Sequence, residues 1–160
     1  MVMKKLLMRQ CRKNPIGLVY EIKKVKCDFL TYPYSFALPE INEDGIHIAH
    51  IEDVVALKLG AIANRGTRKD FVDLYYIFEK YSLKDLLFFY TRMYNVKEHF
   101  SLLKSMTYFE DAENEVTPKL LLDKNLSWEK NQEINYSKSD KSSLDYLNFN
   151  IRYQANNLYP

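Results

Sequence analysis

The sequence predicts an α+β fold, with a few strands first and packed helices after them. Three observations predict it. β-forming residues gather in two short runs, residues 16–22 and Val25–Leu30, separated only by Lys23 and Lys24. The apolar period changes from two to 3.6 near Glu52. Helix-start signals then recur: Thr67 with Asp70, Ser82 with Asp85, and Asn95 with Glu98.

The first dozen residues are basic and read as a short helix or a frayed terminus. The two β-rich runs read as a hairpin or as neighbouring strands. In the second, Val25, Cys27 and Phe29 share one face, and Lys26, Asp28 and Leu30 share the other. Pro33, Pro39 and the cluster from Asn42 to Gly45 mark a loop before a short strand, Gly45-Ile46-His47-Ile48. The first helix carries Val54, Leu57, Ala61 and Ile62 and ends at Gly66, a residue suited to the left-handed position after a helix. Phe71, Leu74, Tyr75 and Phe78 form the stripe of the second helix. Leu86, Leu87, Tyr90 and Met93 belong to the third, and Leu102, Leu103 and Met106 to the fourth. From about Asn131 the chain turns to Asn, Ser, Lys and Tyr with poor apolar periodicity. That stretch reads as a loosely packed helix, disorder, or sequence foreign to the domain.

At 160 residues the prior is one domain. The net charge of +2 gives no overall field for a nucleic-acid partner, although local basic runs can still hold phosphates. Cys11 and Cys27 lack disulfide or zinc spacing and read as reduced thiols. The apolar run at the start is interrupted by Arg9 and Arg12, too soon for a secretory signal. No stretch approaches the roughly 20 apolar residues of a membrane helix. The expectation is a soluble, cytoplasmic protein with no membrane partner.

Three constellations could carry chemistry. Lys58 falls between Val54, Leu57, Ala61 and Ile62, in the middle of the expected apolar face. Either it is aimed at a phosphate or carboxylate, because an unpaired buried ammonium is costly, or it snorkels at the core's edge. The second is Arg65-Gly-Thr-Arg-Lys-Asp70-Phe-Val-Asp73, where a helix N-terminus meets three cations and two carboxylates on one helix face. It is either an anion or metal site, or a charged helix start in which Lys69 pairs with Asp73. The third is Asp28, an acid inside an apolar strand: a metal ligand, a base, or a solvent-facing residue of an edge strand. His47 and His50 do not share a ligand face, and His99 reads as an ordinary helix residue. No Walker, GxGxxG or GxSxG motif is present.

These segments resemble a known family. Val25-Lys-Cys-Asp-Phe-Leu-Thr-Tyr-Pro-Tyr34, Glu52-Asp-Val-Val-Ala-Leu-Lys58, Arg65-Gly-Thr-Arg-Lys-Asp-Phe-Val-Asp-Leu-Tyr75, Leu103-Lys-Ser-Met-Thr-Tyr-Phe-Glu-Asp-Ala-Glu113 and Ser127-Trp-Glu129 are similar, in order and spacing, to segments of the AbiEii/AbiGii nucleotidyltransferase toxins. The resemblance covers about residues 16–134. It implies a partial DNA polymerase β-like core with few strands, followed by a helical bundle. A basic segment, residues 1–15, would precede it, and a polar tail, residues 135–160, would follow.

The resemblance further implies a toxin of a toxin–antitoxin or abortive-infection system. Such a protein transfers a nucleotide from an NTP, with magnesium, to an acceptor such as tRNA or another RNA, and is opposed by a cognate antitoxin. Asp28 would be the later strand carboxylate near the metal. Lys58, Arg65 and Lys69 would contact the nucleotide, and Asp70 and Asp73 would form the acidic pair beside them. The family's opening glycine turn and its Asp-x-Asp strand do not occur in these 160 residues. Either the chain is a fragment, or its gene has decayed, or another chain supplies the missing half; the expectation is a truncated chain, inactive by itself, with Asp28 in an incomplete metal site. The alternative is a non-catalytic remnant that binds RNA or protein.

Overall fold

The computed structural model describes the backbone of residues 8–14 and, with side chains, residues 17–120 and 125–140. The fold is α+β. It divides into two compact units, residues 1–35 and 36–160.

The first unit is an antiparallel meander. Strands β1 (Met8–Asn14), β2 (Gly17–Ile22) and β3 (Val25–Leu30) lie in the order β1-β2-β3. Of the basic start of the chain, expected as a short helix or frayed end, Met8–Asn14 is a strand, and residues 1–7 lie outside the described residues: Met8 stands opposite Ile22 and Asn14 opposite Gly17, with an irregularity between Gln10 and Arg12. Strand pairing is non-local, so nothing in that basic run announces it. β2 and β3 pair from Gly17↔Leu30 to Ile22↔Val25 and are closed by Lys23 and Lys24. Paired residues share a face. Leu18, Tyr20 and Ile22 thus join Val25, Cys27 and Phe29 on an apolar face, and the Tyr20 and Phe29 rings meet edge-on at 5.9 Å. Val19 and Glu21 join Lys26, Asp28 and Leu30 on the other face.

The second unit opens with a small hairpin, β4 (Ile41–Glu43) and β5 (Ile46–Ile48), turning at Asp44 and Gly45 with both φ angles positive. The expected single short strand thus has a partner inside what reads as loop. Helices α1 (Ile51–Asn64), α2 (Arg68–Phe78), α3 (Leu83–Tyr94) and α4 (Phe100–Met106) follow, then a 3-10 turn (Glu110–Ala112) and a last helix, α5, over residues 128–140. Of the three readings open for the Asn-rich stretch, a helix is the one that forms, as far as residue 140; residues 141–160 lie outside the described residues.

α1 packs against α2, α3 and α4. The core joins Val55, Leu59 and Ile62 of α1 to Phe71, Leu74 and Phe78 of α2, Leu86 and Leu87 of α3, and Leu102 and Met106 of α4. Each such side chain contributes roughly 1.5–3 kcal/mol when fully buried. The expected stripes of α2 and α4 are all buried, and in α3 only Tyr90 is partly exposed. In α1 the stripe is displaced. Val55, Ala56, Leu59 and Ile62 are buried, whereas Val54, Leu57 and Ala61 are only partly so. That helix is apolar on most sides, so periodicity alone does not fix which side faces inward. Gly60 permits the α1–α3 approach, since a Cβ there would collide with the Tyr94 phenol.

Asn95 does not start the fourth helix. It closes α3 in the left-handed conformation, φ 52°, and the N-cap of α4 is His99. Asn serves both as an N-cap and as a left-handed terminator, which makes its role ambiguous from sequence. His99 is buried, lies 2.6 Å from the Thr91 hydroxyl through Nε2, and has its pKa lowered by burial.

Candidate functional site

The turn from α1 to α2 is built by local rules. Gly66 takes φ 53° immediately after the Arg65 C-cap, a conformation that favours glycine. Thr67 and Asp70 then form a reciprocal capping box, in which the Asp70 carboxylate accepts from the Thr67 backbone N–H at 3.2 Å and from its hydroxyl. Arg65 reaches the same carboxylate through Nε at 3.1 Å and Nη2 at 3.3 Å. Asp70 is 0% exposed. Burial pushes its pKa up, but the bonds from Arg65 and Thr67 outweigh it and hold the carboxyl below its ordinary value. The Arg65 guanidinium is correspondingly held protonated by its bond to Asp70.

One turn further along α2, Asp73 accepts a hydrogen bond from Lys58 Nζ at 2.5 Å. The Lys58 side chain is 38% exposed and that of Asp73 41%. Lys58 therefore has the anionic partner that its position calls for, but at the border of the α1 core stripe rather than at its centre. The expected Lys69–Asp73 pairing is replaced by this one, and Lys69 is exposed. Asp70 and Asp73 thus differ despite their three-residue spacing. Asp70 is a buried structural carboxylate locked by its cap and Arg65, whereas Asp73 is half-exposed and held by one ammonium.

Arg68, third cation of the turn, is not available to a ligand. It is buried, donates to the Ala112 and Glu113 carbonyls and to the Thr117 hydroxyl, and lies 4.5 Å from the Trp128 ring centroid. Its backbone N–H donates to Glu115 at 2.7 Å, so the first turn of α2 already has an internal anion. Asn131 and Asn135 of α5 both donate to the Phe71 carbonyl, fixing α2 from a third side. Sequence reasoning missed all of these partners. The Arg-Lys pair offers no local sign of which cation turns inward, and Asn131 and Asn135, spaced for one helix face, were the available signal. Beside Arg65 a small cavity of about 110 Å³ is lined by Asn64, Arg65, Gly66, Ser105, Tyr108 and Asp111.

Asp28 belongs to the other unit. It pairs with Lys26 on its own strand at 3.2 Å, with the side chain 44% exposed. Among the described residues no three His, Cys, Asp or Glu converge as metal ligands. Each of the three expected carboxylates already holds a cation, and Asp70 has no exposed surface. These residues do not by themselves fit a two-magnesium centre, which needs several free carboxylates aimed at the ions. His47 pairs with Glu40 at 2.9 Å.

Comparison with known proteins adds a family to this geometry. A family model described as nucleotidyl transferase AbiEii toxin, type IV TA system, matches residues 24–140, from the hairpin turn to the end of α5. An uncharacterized protein of Aquifex aeolicus (strain VF5) is 38% identical over 103 residues, 62% of this chain and 50% of that protein. The chain thus spans about half the length of the relative it matches. No solved structure matches it. No described helix is long and apolar enough to cross a membrane.

Proposed function

Because the chain belongs to the AbiEii nucleotidyl transferase toxin family, we propose that it serves the transfer of a nucleotide from an NTP to an RNA acceptor, tRNA among the candidates, as a cytoplasmic toxin opposed by a cognate antitoxin. The observation that carries this reading is the Lys58–Asp73 ion pair, which lies within the matched segment and beside the Arg65–Asp70 turn. A half-exposed ammonium held by one half-exposed carboxylate can exchange that partner for a phosphate oxygen at little cost, since such pairs contribute roughly 0–1 kcal/mol. Lys58 is the phosphate contact in this reading, and Lys69 is an exposed cation of the α1–α2 turn. Asp73 holds Lys58 in place until a phosphate oxygen takes over, and is then the carboxylate released beside the nucleotide. Arg65 and Asp70 hold the turn in shape.

The family's chemistry uses magnesium and an NTP, with Asp-x-Asp carboxylates as the principal metal ligands. Those carboxylates are absent from these 160 residues, so transfer requires carboxylates from outside them. Asp28 joins such a set in this reading as the later strand acid. The test is to incubate the purified chain with magnesium, each labelled NTP in turn and total RNA, and to measure nucleotide binding in parallel. The expected result is weak NTP binding that Lys58→Ala lowers about tenfold or more, and no label transfer by this chain alone. Robust transfer that disappears on Asp28→Ala would show that the carboxylate set is complete. Binding indifferent to Lys58 would remove the phosphate contact. The second reading, a non-catalytic RNA- or protein-binding remnant, is favoured by the pairing of every expected carboxylate with a cation, and predicts RNA binding without NTP binding.

A further inference from the structure

Charge is divided unevenly along the chain. Residues 1–35 contain eight Lys and Arg against two acids, Glu21 and Asp28, a net charge of +6. The other 125 residues contain fifteen Lys and Arg against nineteen acids, a net charge of −4. These first 35 residues are the meander unit. The chain's small overall charge conceals a basic module joined to an acidic one, and electrostatic attraction follows the local charge.

The β2–β3 turn places two of these cations at one tip. Lys23 and Lys24 are its central residues, with φ of 51° and 67°, and Ile22 pairs with Val25 across it. A two-residue hairpin with both central φ positive is a type I′ turn, which Asn-Gly satisfies without strain. Two lysines accept the left-handed conformation here at a cost in free energy. Both are exposed. A strained turn that carries two adjacent ammoniums at the tip of a hairpin points to a use for them there.

Aromatic rings follow along the same strand and the segment after it. Phe29 is 52% exposed, Tyr32 44% and Tyr34 50%, and the Tyr32 and Tyr34 rings lie 5.6 Å apart. β3 is an edge of the three-stranded sheet, six residues and roughly 20 Å long. Rings accessible to solvent beside cations fit unpaired bases, which stack on aromatic faces while the phosphates meet Lys and Arg. A base-paired helix hides its base faces, and an acidic peptide has no use for the rings.

We propose that the β2–β3 hairpin and the segment through Tyr34 form a docking surface for single-stranded RNA, with Lys23 and Lys24 taking phosphates and Phe29, Tyr32 and Tyr34 stacking bases. The choice of RNA over a DNA strand of the same charge rests on the function proposed above; the surface itself does not. The surface belongs to the first unit, and the Lys58–Asp73 pair to the second.

The experiment uses the whole 160-residue chain and a labelled oligouridylate of about twelve nucleotides, within the roughly 4–16 that single-strand sites span. Binding is read by fluorescence anisotropy across a salt series. Lys23→Asn with Lys24→Gly removes two cations while giving the turn the residues it favours, so the hairpin is retained. The expected result is an affinity that falls with salt. In the double variant, affinity drops about tenfold or more at low salt, and the log–log salt slope shrinks by roughly 0.7 for each phosphate no longer neutralised. Phe29→Ala is expected to lower affinity about tenfold while leaving the salt slope unchanged, the signature of a missing stack. Four outcomes overturn the proposal: no RNA binding, undiminished binding by the Asn-Gly variant, equal affinity for a fully paired RNA of the same length, or displacement of the RNA by an oligoglutamate of equal charge. Tighter binding of the matching DNA strand overturns the assignment to RNA. NTP binding that depends on Lys58, measured on the same samples, separates the fate of this surface from that of the transferase reading.

Discussion

The meander and the helical unit use their apolar residues in opposite ways. In residues 1–35 the large side chains of Val25, Phe29 and Leu30 are each more than half exposed, and the charge is strongly positive. In residues 36–160 Leu59, Phe71, Leu74, Leu86 and Met106 are completely buried, and the net charge is negative. The same contrast recurs within α2: Asp70 is buried among its cap and Arg65, while Asp73 stands half-exposed on Lys58. Asp70 holds the turn from an enclosed position, whereas Lys58 and Asp73, the proposed ligand contacts, stand partly exposed. Charge alone does not sort the two, since Asp stands in both classes, buried at Asp70 and half-exposed at Asp73.

The largest expected effect tests the buried side of that contrast. Phe71 packs at 4.8 Å from the Phe109 ring centroid and 6.1 Å from Trp128. Phe71→Ala is expected to destabilise the helical unit by about 3–5 kcal/mol, against roughly 0.5 kcal/mol or less for Phe29→Ala on the meander. Urea denaturation followed by helical circular dichroism measures the first, and hydrogen exchange of the β2 and β3 amides measures the second. Equal losses would erase the distinction between the two units.

Asp70→Asn is next. It weakens the cap and the Arg65 bond in an enclosed site, at an expected cost of about 1–3 kcal/mol. Its pH dependence has a definite sign. The Asp70 carboxyl is depressed below its ordinary 3.8, so the unfolded chain takes up the proton first as acid is added. Its stabilisation is complete above that ordinary value and is lost as pH falls through the folded-state value. Unfolding midpoints measured from about pH 5 downward should fall more steeply for the native chain than for Asp70→Asn. Parallel curves would show that the carboxylate is not held as the geometry requires.

His99 gives a smaller effect in a milder range. Burial lowers its pKa from 6.5, so the unfolded state protonates first and stability declines as pH falls through that ordinary value. Thermal midpoints compared at about pH 7.5 and 5.5, on either side of that value, should separate for the native chain and converge for His99→Gln. The smallest effect on stability is expected at the proposed ligand contacts. Lys58→Ala or Asp73→Asn should each change stability by about 1 kcal/mol or less, because the pair is partly solvated. A loss of several kcal/mol by urea titration would place Lys58 and Asp73 among the structural residues beside Asp70.

What the sequence determined by itself lies within a few residues of each signal. The capping boxes Thr67–Asp70 and Ser82–Asp85, the left-handed Gly66, the alternation in β3 and the stripes of α2 and α4 all follow from short-range geometry. The family was also legible, because the segments that carry it are contiguous and ordered. Only the tertiary structure decided where contacts join distant residues. It made a strand of Met8–Asn14, chose which side of the largely apolar α1 faces the core, and made Asn95 an end rather than a start. It also sent Arg68 inward to residues more than forty positions away, and gave Asp73 to Lys58 rather than to Lys69. The physical reason is common to all of these. Propensity, capping and periodicity act over one or two helical turns. Which cation is buried and which carboxylate stays open depends on groups that only the packed chain brings together.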